Sequence, residues 1–217
     1  MIKKRTGAWL LLAMVFMAGN LMAHESKKED AEILLKKALD KMTSYKNFKA
    51  TLSYTMDNKD MNIHEKKSGT IFVEGDKYRI DMGAQVIISD GKDVWTVLRD
   101  SKEVMLTAVD PNDPSSVSPT NILSKYADYK AKIDHEEKAK DLVTIELNTK
   151  KDANYKKVTV TLNSKTFELE SFSLYDDQGS VYTYHIVNLK SNLTLPAGTF
   201  TYLAKDFPGY GEPEDMR

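Results

Sequence analysis

The sequence predicts a mainly β protein with some helix (α+β), built on one large antiparallel sheet. Three observations carry this. Apolar and polar residues alternate with period two in Phe48–Met56, in Tyr78–Met82 and in Val158–Leu162, as half-buried strands require. Turn-forming clusters recur at Glu74-Gly75-Asp76, at Ser89-Asp90-Gly91-Lys92 and at Asp176-Asp177-Gln178-Gly179. Helical signals are confined to two stretches, one ahead of the strands and one interrupting them. Ten or eleven strands on short connections imply a sheet curled into a barrel or half-barrel.

Taken in order, the chain opens with Lys3, Lys4 and Arg5, an apolar run from Ala8 to Ala18, and Leu21-Met22-Ala23. That is the order of a secretory signal peptide, here assigned to residues 1–23 with cleavage before His24. The apolar run is about half the length of roughly 20 residues that a membrane-spanning helix needs. Cysteine is absent, which excludes a disulfide framework and a lipid attached to a cysteine of this chain. Removing residues 1–23 takes three positive charges and no negative ones, so 31 basic residues against 32 acidic become 28 against 32. An acidic chain without a concentrated basic face is a poor nucleic-acid binder. The remainder, 24–217, has the length of a single domain.

Ser26-Lys27-Lys28-Glu29 has the form of a capping box and predicts a helix start. Ala31, Leu35, Ala38, Met42 and Tyr45 then recur at steps of four and three, forming one apolar stripe. Such a stripe serves either core packing or contact with a ligand. Strands are expected at Phe48–Met56, Thr70–Glu74, Tyr78–Met82, Gln85–Ser89, Val94–Leu98 and Glu103–Val109. Asp110-Pro111-Asn112-Asp113-Pro114 ends that series, and Ser118-Pro119 has the N-cap and first-turn proline of a second helix with Ile122, Leu123, Tyr126 and Tyr129 on its apolar side. Strands resume at Leu142–Asn148, Val158–Leu162, Phe167–Tyr175, Val181–Leu189 and Phe200–Leu203.

Signals for catalysis are weak. His24, His64, His135 and His185 have no metalloprotease spacing, and the serines lack a nucleophile-elbow pattern. His64-Glu65 and Asp134-His135-Glu136-Glu137 both read as solvated charge, because such runs are often surface turns. Gly75, Gly83 and Gly91 punctuate strands and precede no nucleotide-binding helix start. No cofactor and no metal is implied. The apolar sheet face, rich in Tyr, Met, Phe and Trp beneath two amphipathic helices, is by composition alone either a filled core or the wall of a lipid cavity.

Several segments together resemble the outer-membrane lipoprotein carrier family, the LolA-like periplasmic chaperones. The most specific is Ile87-Ile88-Ser89-Asp90-Gly91-Lys92-Asp93-Val94-Trp95. Gly69-Thr70-Ile71-Phe72-Val73 before Tyr78-Arg79-Ile80, the Ser118–Leu123 helix start, and the ending from Phe200-Thr201-Tyr202 through Phe207-Pro208-Gly209-Tyr210 to Asp215 support it. The resemblance implies an unclosed antiparallel barrel of about eleven strands with a helical lid over a cavity for acyl chains. On that reading Leu52, Tyr54, Met56, Val73, Ile80 and Met82 line the cavity, while Leu35, Met42, Ile122, Leu123 and Tyr126 belong to the lid. Tyr78 falls where better-known members carry an aromatic needed for receiving cargo, and so marks a partner contact. Those members also have an arginine after the strand ending at Val73 that hydrogen-bonds to the lid. Here Glu74-Gly75-Asp76 stands instead, and Arg79 is the candidate latch.

The implied function is that of a monomeric periplasmic carrier. It would take acylated lipoproteins from an inner-membrane ATP-driven release complex to an outer-membrane acceptor, making and breaking no bond. Two other classes stand beside it: a periplasmic lipid sensor or regulator with the same half-barrel, and an enzyme acting on a lipid headgroup.

Overall fold

The computed structural model describes residues 30–110, 130–147 and 155–217. The expected signal peptide, the Ser26–Glu29 cap and the second helix with Ile122, Leu123 and Tyr126 lie outside the described residues.

One helix, α1, covers residues 30–43. It leads into a sheet of β1 (Phe48–Asn58), β2 (Ile63–Glu74), β3 (Lys77–Asp81), β4 (Gln85–Ser89), β5 (Asp93–Leu98), β6 (Glu103–Ala108), β7 (Ala131–Glu137), β8 (Leu142–Leu147), β9 (Lys157–Asn163), β10 (Leu169–Tyr175), β11 (Ser180–Ser191) and β12 (Glu214–Asp215). The spatial order is β12-β6-β5-β4-β3-β2-β1-β11-β10-β9-β8-β7, so β1 and β11 meet at the centre and the two ends do not join. Every pairing is antiparallel except that of β12 with β6. A sheet beyond about ten strands curls instead of staying flat, and this open form agrees with the unclosed barrel expected.

Strand parity sorts the side chains into two faces. The inner face carries Phe48, Ala50 and Leu52 of β1, Ile71 and Val73 of β2, Tyr78 of β3, and the alternate residues of β8, β9 and β10, all in one core. The stripe of α1 closes on it through Ala31, Leu35, Ala38 and Met42, each at most 4% exposed. Here the stripe packs core. On the outer face, β8 to β11 are polar: Thr144 and Thr161 share a hydrogen bond of 2.9 Å, and Ser173 and Thr183 one of 3.0 Å. Two buried asparagines fix the loops. Asn58 donates to the Gln178 carbonyl and to Ser180 Oγ, both at 3.0 Å, and accepts from the Met61 amide at 2.9 Å. Asn47 donates to the Leu193 carbonyl at 2.9 Å and accepts from the Leu193 amide at 2.7 Å.

A second, smaller core lies on the outer face of β4 to β6, where Val86, Ile88, Val97 and Val104 receive Phe207 from the C-terminal tail. Tyr202 stacks on Phe207 with centroids 5.4 Å apart, and Tyr210 meets it edge-on at 5.6 Å. The tail then pairs with edge strand β6, and Arg217 reaches the Asp93 carboxylate at 3.2 Å.

Three expectations need correction. Asp134-His135-Glu136-Glu137 is solvated charge as expected, with Asp134, His135 and Glu136 exposed, but it lies in strand β7 and not in a surface turn. Ala131 and Ile133 point inward, and a register shift follows between Ile133 and His135. An edge strand has one neighbour and tolerates such charge. Phe200–Leu203 is turn, not strand, because Gly198 at φ 82° has already reversed the chain and Phe200 is buried by packing. β10 begins at Leu169, since Phe167 adopts φ 61°, in the left-handed region, and turns the chain ahead of the strand.

Candidate functional site

Beside the packed core, several apolar side chains of the inner face are only half-buried. β1 and β11 supply the centre of this region. Their register sets Leu52 against Ile186, Tyr54 against Tyr184 and Met56 against Tyr182, so six side chains stand in cross-strand pairs on one face. Ile186, Tyr182 and Tyr184 adjoin the core, as do Ile80 and Met82 from the β3 side and Tyr155 ahead of β9.

The expected cavity residues Leu52, Tyr54, Met56, Val73, Ile80 and Met82 all belong to this face by register and parity. They are not equivalent. Val73, 1% exposed, and Leu52, 9% exposed, are packed core, whereas Tyr54, Met56, Ile80 and Met82 are half-buried. Leu35 and Met42, on the buried side of α1, are part of the core. Tyr78, 1% exposed, is packed among them and offers no surface to a partner in this arrangement. Arg79 faces the other way, paired with Ile88, and its guanidinium stands 6.0 Å from the Phe207 ring centre. It therefore shares a face with the C-terminal tail and not with the cavity residues.

Tyr155, Tyr182, Tyr184 and Ile186 escaped the sequence reading. For the β11 residues the signal was available: Tyr182, Tyr184 and Ile186 alternate with Thr183 and His185. Tyr155 precedes β9, and no local pattern marks it.

Tyrosines dominate this region. The Tyr54 and Tyr184 rings are 5.2 Å apart and tilted by 48°, and Tyr155 meets Tyr182 edge-on at 6.5 Å. Tyr182 Oη donates to Asp176 Oδ2 at 3.1 Å. Burial, then the neighbouring Tyr54, Tyr155 and Tyr182, pushes the Tyr184 hydroxyl up to about 12. Burial also raises Tyr54, helped by Glu65, and raises Tyr155, helped by Tyr182 and Asp176. All remain protonated donors at neutral pH. On the same face of β2, Glu65 and Lys67 pair with each other at 3.2 Å.

Such a region has apolar area, neutral donors and little net charge, which suits a ligand that is mostly hydrocarbon. Among the described residues no group of His, Asp or Glu is placed to hold a metal ion. No helix among them is long and apolar enough to cross a membrane.

A family model described as "Outer membrane lipoprotein carrier protein LolA" matches residues 43–203, which span β1 to β11. No curated protein matches the chain in sequence. Among solved structures, an uncharacterized conserved protein from Thermus thermophilus superposes with a TM-score of 0.54 at 10% identity, covering 84% of this chain and 98% of that one. A putative outer membrane lipoprotein-sorting protein domain from Vibrio parahaemolyticus gives 0.47 at 14% identity, covering 80% and 97%. The lipoprotein LppX of Mycobacterium tuberculosis gives 0.46 at 12% identity, covering 76% and 97%. The likeness to the Thermus protein is one of fold.

Proposed function

The chain belongs to the outer membrane lipoprotein carrier family, LolA, and from that premise we propose that it carries the acyl chains of lipoproteins across the periplasm. The observation that supports this most is the half-buried apolar region in which Ile80, Met82, Tyr182 and Ile186 adjoin the core and Tyr54 and Met56 extend it by strand register. An acyl chain of about 15 methylenes costs on the order of 12 kcal/mol to expose to water. A protein face that is already folded and only partly wet offsets that cost when the chain lies on it. The carrier itself changes no bond, so its work is to bind, shield and release.

In this reading residues 1–23 are removed on export and the mature, monomeric carrier begins at His24. Cargo is loaded by an inner-membrane ATP-driven release complex and passed to an outer-membrane acceptor. Native mass spectrometry of the protein recovered from its own periplasm tests the proposal. A mass starting at His24 with an acylated adduct is expected. A lipid-free protein that also fails to bind a triacylated lipopeptide refutes it.

A further inference from the structure

We propose that Tyr54, Tyr155, Tyr182 and Tyr184 form a polar subsite that receives the ester and amide carbonyls joining acyl chains to their cargo. This rests on the carrier reading above and adds what the site recognises besides hydrocarbon.

The four residues are brought together from three places in the chain. Tyr54 and Tyr184 are cross-strand partners, Tyr182 follows on the same face of β11, and Tyr155 packs edge-on against Tyr182. Tyr182 donates to Asp176. Among the described residues no hydrogen bond is formed by the hydroxyls of Tyr54, Tyr155 and Tyr184, and since every fully buried side-chain polar atom is partnered, these three tips reach solvent and are open to an incoming acceptor. Tyrosine combines an apolar ring with one donor tip, and a tip that a ligand covers needs an acceptor from that ligand.

The chemistry of that acceptor follows from the surroundings. Each hydroxyl is held protonated, so it donates. An anionic headgroup is disfavoured, because Glu65 and Asp176 act on these tyrosines and the nearby Lys67 is already paired with Glu65. A neutral carbonyl oxygen fits instead. It is also the first polar group at the head of every acyl chain, so a chain lying on this face beside Met56 and Ile186 brings its carbonyl within the reach of the tyrosines between them.

The test compares didecanoylglycerol, which has two ester carbonyls, with didecylglycerol, the diether of equal chain length that has none. Both are scored by displacement of an apolar dye from the full-length mature protein. One neutral hydrogen bond is worth about fivefold in affinity. The wild type should prefer the ester by roughly 5- to 25-fold. In the triple variant Tyr54→Phe, Tyr155→Phe, Tyr184→Phe that preference should fall to about one, with the ether bound as before. Should the triple variant not fold, Tyr155→Phe alone decides, with at least about a twofold drop in preference expected. Equal binding of ester and ether by the wild type, or a preference that survives the Phe substitutions, overturns the subsite. Binding of neither lipid instead overturns the carrier reading itself.

Discussion

Met56 and Ile80 stand on the inner face but are only half-buried, so part of each side chain is still wet before any ligand arrives. Fully burying a side chain of this size is worth about 1.5–3 kcal/mol. At most about a third of that, about 0.5–1 kcal/mol each, is left to be realised on covering by lipid. Replacing both with Ser should therefore weaken binding of a long-chain fatty acid by about 1–2 kcal/mol, or roughly 5- to 30-fold. The accompanying loss of stability should be larger, about 2–4 kcal/mol. Phe207→Ala provides the counterweight. Phe207 is 7% exposed in the outer-face core, and its truncation should cost about 3–5 kcal/mol of stability without touching the inner face. Fluorescence titration with a fatty-acid probe and urea unfolding of each variant decide the matter. If Phe207→Ala loses as much affinity as the Met56/Ile80 variant, affinity follows global stability and the inner face is not the site.

Two further outcomes follow from single residues. Because the Tyr184 hydroxyl is raised from 10.0 to about 12 in the folded chain, its contribution is intact below pH 10 and lost as pH rises towards 12. Up to about 3 kcal/mol is at stake; Tyr184→Phe should remove this part of the alkaline destabilisation, and identical pH profiles for the two proteins between pH 10 and 12 would contradict the burial of that hydroxyl. At Gly69 an added Cβ would overlap the Asp81 carbonyl oxygen and lie 2.7 Å from Met82 Sδ, at the point where β2 and β3 part. Gly69→Ala should thus cost about 1–3 kcal/mol in urea unfolding, and a variant as stable as the wild type would show that the strands separate freely there.

Much of this architecture was legible because period-two patterning is local. Phe48 to Met56 alternate so regularly that both the strand and its inward face could be read without knowing any partner. What pairs across the sheet is not local. Tyr54 meets Tyr184 because β1 and β11, far apart in the chain, take one register, which no turn between them dictates. Hence the face was legible but the tyrosine cluster was not. The separation of Val73 and Leu52, packed, from Met56 and Ile80, half-wet, likewise depends on tertiary packing and not on local pattern. β7 stayed hidden because only Ala131 and Ile133 mark its inner face before the charges begin.

An unclosed sheet exposes two edges, and each is an invitation to pair with another chain. This protein treats them differently. At β7 the edge strand carries Lys132, Asp134, His135 and Glu136, with Lys132 bonded to Glu146 at 2.9 Å, and such charge opposes docking of a further strand. At β6 the chain's own tail occupies the edge: β12 pairs in parallel with Met105 and Leu106, and the Met216 amide donates to the Leu106 carbonyl at 2.8 Å. Phe207 anchors that tail on the outer face, against Val86, Ile88, Val97 and Val104. The edge cover consequently uses no side chain of the inner face. A sheet so defended can stay open without pairing with a second copy, and its half-wet inner face can open to a ligand while the outer core remains packed.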